Sequence, residues 1–115
     1  MNKSETGREG ETRAAAALEQ AGMSIIARNV RFQSGEIDLV ALDGEVVVFV
    51  EVKSWTAYGF EDLRFSISGK KQRRIIETAK NFLSVHREYN CMALRFDVVF
   101  IGPETITHLA AAFTE

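Results

Sequence analysis

The sequence predicts an α/β fold, with a mixed central sheet of about five strands flanked by helices in the order α-β-β-β-α-β-β. Two stretches place apolar residues three and four apart, three strand-like runs lie between them, and two more runs follow. The 115 residues fit one domain, residues 1–115, with one core.

Residues 8 to 21 carry Ala14, Ala15, Leu18 and Ala21 at helical spacing, and Gly22 follows as a stop. From Ile25 the pattern changes to IIARNVRF, then GEIDLVALD, then EVVVFVEVKS, all rich in Val, Ile and Phe. The last two runs meet at Asp43-Gly44, a dipeptide suited to a two-residue hairpin turn. Residues 55 to 69 show no clean period and exceed the usual loop length, which predicts a functional or mobile connection. Lys70 to Arg87 is again helical, with Ile75, Ile76, Ala79, Phe82 and Leu83 on one face. RFDVVFIG and ITHLAAAF predict two further strands, separated by a turn at Gly102-Pro103.

Apolar residues make up 46% and charged residues 26%, the balance of a globule rather than a disordered chain. The 14 Lys and Arg against 16 Asp and Glu exclude a histone-like basic coat, so any phosphate contact must come from local patches. Cys91 has no internal disulfide partner, and with two scattered histidines it forms no zinc-ligand spacing. The polar start MNKSETGREGETR lacks a signal-peptide stretch, and the longest apolar run, Val46 to Val50, is too short to span a bilayer. A cytoplasmic location with no membrane contact is expected.

If Asp43-Gly44 is the whole turn, Leu42 faces Glu45, Asp38 faces Phe49 diagonally to Glu51, and Glu36 faces Glu51. Lys53 follows on the same side, so all four charged residues point one way. Diagonal Cβ atoms roughly 7 Å apart let two carboxylates each place an oxygen about 2.1 Å from one Mg²⁺. That face also carries Val40, Leu42, Val47 and Phe49, so a covering element is expected, and covered carboxylates need a compensating cation. Glu11 precedes Ala14, Ala15 and Leu18 by three, four and seven positions, on the core-facing stripe. Three acids against Lys53 leave two negative charges, which one divalent ion would neutralise.

Phosphodiester hydrolysis needs a nucleophilic water and stabilisation of the charge that builds on phosphate. A carboxylate-bound Mg²⁺ or Mn²⁺ supplies both, and a nearby ammonium such as Lys53 orients the water or balances the anionic transition state.

The segments GREGE, RNVRF, GEIDLVALDG, VVFVEVKS and RFDVVFIG resemble the YraN family of bacterial proteins along nearly the whole chain. That family is similar in fold to the Holliday junction resolvase branch of the PD-(D/E)XK nucleases, so the resemblance implies a restriction-endonuclease-like core. It also implies that Glu11, the motif acid Asp38 and the pair Glu51 and Lys53 are the site residues. Lys71-Gln72 matches a polar pair often seen there. Gln72 precedes Ile75, Ile76 and Ala79 at helical spacing, which gives it a secondary place in the site. Trp55 stands where the family often has a basic residue.

Plainer readings stand beside these. Glu51 and Lys53 also fit an exposed ion pair worth at most about 1 kcal/mol. Glu11 fits a helix-start acid favoured by the macrodipole, and Glu36 a solvated acid beside the site. Lys70, Lys71, Arg73 and Arg74 suit either a phosphate backbone or a solvated helix face. Trp55, Tyr58 and Phe60 suit loop anchoring or base stacking. Asp97 is expected to partner Arg95 or cap a turn, and Cys91 and His86 carry no discernible chemistry. The leading expectation is a Mg²⁺- or Mn²⁺-dependent endonuclease-like protein acting on DNA, including branched or damaged DNA. The alternative is a non-catalytic nucleic-acid-binding module serving a recombination or repair assembly. So small a core has little surface to enclose a duplex, so a homodimer is expected, chiefly from the resolvase resemblance.

Overall fold

Helix α1 (Lys3–Gln20) buries Ala14, Ala15 and Leu18, the stripe its spacing predicts. Ala21 lies beyond its end and is exposed. Gly22 donates its N–H to the Glu19 carbonyl and Met23 to that of Leu18, both at 3.0 Å. This pairing closes a helix C-terminus and turns the chain into the sheet. A computed structural model of the chain describes residues 3–54 and 67–114, with side chains from residue 9 onward. Trp55, Tyr58 and Phe60 lie outside the described residues.

Three strands follow, β1 (Ser24–Phe32), β2 (Gly35–Asp43) and β3 (Val46–Ser54). Helix α2 (Gly69–Val85) is capped by the Ser68 side chain, which accepts from the Lys71 N–H at 3.2 Å. A short 3-10 turn (Arg87–Tyr89) leads to β4 (Ala93–Ile101) and β5 (Ile106–Phe113). Gly102 and Thr105 close the last turn through a 2.8 Å backbone bond. The sheet runs β1-β2-β3-β4-β5, antiparallel except between β3 and β4, which are parallel because α2 carries the chain back across the sheet.

One helix covers each face. Phe49, Phe96, Val98 and Phe100 pack beneath Ile75, Ala79 and Phe82 of α2. Leu39, Val48, Val50 and Val99 pack beneath Ala14, Ala15 and Leu18 of α1. Central strand β3 is therefore apolar on both sides, which is why Val47 to Val50 form a continuous run with no polar alternation. Each such side chain contributes on the order of 1.5–3 kcal/mol when fully buried. The result is the expected α/β architecture, compatible with a nuclease-like core. Among the described residues, no helix is long and apolar enough to cross a membrane.

The hairpin turn differs from expectation. Asp43 pairs with Val46 and Leu42 with Val47, so the loop is Gly44-Glu45 and the register moves by two residues. Arg95 Nη1 binds Asp43 Oδ2 at 2.9 Å, which keeps Asp43 in the strand, and Gly44 at φ 60 then opens the turn. A shift of two leaves every side chain on its predicted face.

Candidate metal centre

The ladder between β2 and β3 is paired as far as Leu39 and Val50, and continuing that register by one residue brings Asp38 level with Glu51. Asp38 Oδ2 accepts the Val52 N–H at 2.7 Å, so a side chain satisfies a backbone donor that the ladder would otherwise pair. This fixes the carboxylate beside β3.

Glu51 stands on the same face, with its side chain 8% exposed and its Oε1 only 2.7 Å from Lys71 Nζ. Asp38 and Glu51 share the floor of a cleft of about 350 Å³, whose walls include Glu36, Lys71 and Arg74. The near wall is tight because Gly35 leaves no side chain against α2, where a Cβ would meet Thr78 Oγ1 at 3.3 Å. Ser34 bonds Thr78 at 2.8 Å and Asn81 at 2.9 Å, tying the β1–β2 turn to α2.

Crowding shows in the electrostatics. Burial pushes the Asp38 carboxyl up to about 7, the Glu51 charge adds to it, and Glu11 and Glu36 contribute further, against the Val52 hydrogen bond. Burial lowers the half-buried Lys53 ammonium, and the adjacent Lys71 lowers it more than Glu51 and Asp38 restore. For Lys71, burial disfavours the charge, but contact with Glu51 outweighs it and the pKa rises.

Of the residues expected here, Asp38, Glu51 and Lys53 are brought together, and Glu36 lines the cleft while meeting Arg31 at 3.5 Å in an exposed pair. Glu11 comes from α1, on the opposite face from α2, yet lies close enough for its charge to act on Asp38. Among the described residues, no three His, Cys, Asp or Glu side chains form a ready-made metal cage. Lys70, Arg73 and Arg74 are exposed on α2. Gln72 donates to the Ile67 carbonyl at 3.2 Å and lines a separate small cavity with Val98 and Phe100. Lys71, not Gln72, contacts the acid Glu51. Its signal was present in the spacing, because Lys71 precedes the buried Ile75 and Thr78 by four and seven positions.

Asp97 does partner Arg95, within a larger cluster. Fully buried, it takes both Arg95 Nε and Nη2 at 2.9 and 3.0 Å, His108 Nε2 at 2.6 Å and the Ala111 N–H at 2.9 Å. Burial opposes its charge, but these partners hold its pKa below the ordinary carboxylate value. Strand alternation places Asp97 with Val99 on the α1 face, away from the cleft.

A model of the uncharacterised protein family UPF0102 matches residues 10–101. A UPF0102 protein of Treponema pallidum (strain Nichols) is 42% identical, covering 92% of this chain and 90% of its own. The Treponema denticola relative is 41% identical, with 93% of each chain covered. That of Alkalilimnicola ehrlichii is 44% identical over 96% of this chain and 87% of its own. Sharing both the matched span and this identity, the chain belongs to the UPF0102 family, the one its motifs resemble under the name YraN.

Proposed function

We propose that this protein is a metal-dependent, endonuclease-like phosphodiesterase acting on DNA, with branched or damaged DNA in recombination or repair as the favoured substrate class. The observation that carries the reading is the convergence of Asp38 and Glu51 on one cleft, beside the half-buried Lys53. Mg²⁺ or Mn²⁺ fits the donor set: both prefer oxygen, and Mg²⁺ needs only one or two protein carboxylates when water and phosphate complete its shell. Asp38 and Glu51 would hold the ion, with Glu11 adding charge from α1. When bound, such an ion acidifies water and draws charge from a phosphate oxygen. Asp38 is kept in place by the Val52 N–H. Lys53, its ammonium pKa lowered by burial and by the neighbouring Lys71, is suited to orient an attacking water or to balance the anionic transition state. Lys70, Arg73 and Arg74 on the exposed side of α2 would meet the backbone phosphates. A homodimer would supply the surface that a junction requires.

The Lys71–Glu51 contact favours a second reading, because it neutralises one acid without any metal. In that case the fold binds nucleic acid and does not cut it. Incubating single-stranded, duplex and branched DNA with Mn²⁺ separates the two readings. The enzyme predicts cleavage that falls at least about 100-fold in Asp38→Asn and Lys53→Ala, the scale of a lost transition-state stabiliser. Equal traces in all three proteins, with binding intact, contradict the enzyme and leave the binding module.

A further inference from the structure

We infer that Lys71 is an internal competitor for the metal position, and that a divalent ion between Asp38 and Glu51 would release it to bind a backbone phosphate at the cleft mouth. The inference rests on the proposed metal site and assigns that site a second, exchangeable cation.

Glu51 is 8% exposed, so few directions of approach to its carboxylate remain, and Lys71 Nζ takes one of them at 2.7 Å. An ammonium and a divalent ion cannot both sit against the same buried carboxylate without strong repulsion at short range. Lys53 sharpens the conflict, because it lies close enough to Lys71 for the two positive charges to repel. Three cationic groups would then crowd two acids.

Lys71 is built to leave. Its side chain is 39% exposed, and it lies in the first turn of α2, where the Ser68 cap holds its backbone independently of where the ammonium points. A lysine is a compact point charge on a flexible stem, so it can change partners by rotating about its own bonds while the helix stays still. Arg74 stands one helical turn further along α2 and lines the same cleft. A released Lys71 therefore joins Arg74 at the solvent side, and two cations one turn apart suit a phosphodiester oxygen pair. Metal and phosphate binding then become synergistic: the ion vacates the anion-binding lysine, and phosphate rewards its departure from Glu51.

The test is Mn²⁺ titration of the full chain without nucleic acid, following free Mn²⁺ by electron paramagnetic resonance, in wild type, Lys71→Gln, Lys71→Arg and Asp38→Asn. The expected result is about tenfold tighter Mn²⁺ binding in Lys71→Gln, wild-type affinity in Lys71→Arg, and loss in Asp38→Asn. A short single-stranded oligonucleotide should then bind wild type more tightly when Mn²⁺ is added, with a smaller gain in Lys71→Gln. Unchanged or weaker Mn²⁺ binding in Lys71→Gln overturns the competitor role while leaving the metal site standing. Absence of Mn²⁺ binding in wild type and Lys71→Gln alike overturns the metal site and the competitor role together.

Discussion

Asp38 keeps its proton up to about pH 7 because burial and the Glu51 charge both disfavour its ionised form. An unperturbed aspartate ionises near 3.8. Between these values the folded state holds a proton that the unfolded state has released, so stability falls as pH rises through the window. Asp38→Asn removes that loss and can still accept from Val52. It should be more stable than wild type by up to about 4 kcal/mol at pH 8 and nearly equal to it near pH 4, a difference read by urea unfolding at several pH values. A gap that does not change with pH would contradict the buried, crowded carboxyl. The shared face of Asp38 and Glu51 was legible from alternation alone, since a two-residue register shift preserves it. Lys71 was harder to read: it and Gln72 both have helical spacing to apolar residues, and spacing does not fix the helix's rotation about its own axis. Packing of Thr78 against Gly35 and its bond to Ser34 settle that rotation, and both partners come from a distant hairpin.

At the scale of elements, β4 and β5 are joined through Asp97 as well as through their ladder. The register slips between Phe96 and Val98, and Asp97 Oδ1 takes the N–H of Ala111, which sits at φ 52. Arg95 extends the same cluster to Asp43 at the end of β2. Asp97→Ala leaves Arg95 half-paired and His108 without its acceptor, and should cost about 3–5 kcal/mol in urea unfolding, as removing one member of a buried ion pair does. Because the cluster faces α1, Mn²⁺ affinity measured on the folded fraction should stay at the wild-type value; a lost metal site with unchanged stability would reverse this assignment. The cluster also explains the misplaced turn. Asp43-Gly44 is a sound local turn signal, but the contact that holds Asp43 in its strand comes from Arg95, 52 residues away. Local signals located the strands and helices, whereas this long-range ion pair set the register.

Across the whole molecule, a sheet with one helix on each face leaves the cleft at the start of β2 and the end of β3, beside the basic start of α2. Element order was legible because the apolar period changes cleanly between 3.6 and 2 along the chain, and the buried run of β3 marked the sheet's centre. The formal charge of -2 means that no overall field draws DNA in, so binding must depend on the α2 cations. Replacing Lys70, Arg73 and Arg74 together by Gln should flatten the plot of log binding constant against log salt by up to about 3. An unchanged slope would place the phosphate contacts elsewhere on the surface. The most direct trial of the metal centre is anomalous diffraction from crystals soaked in Mn²⁺. The expected map has one strong peak per chain bridging Asp38 and Glu51, with the Lys71 ammonium withdrawn from Glu51. A map with no peak there, and Lys71 still seated on Glu51, would contradict it.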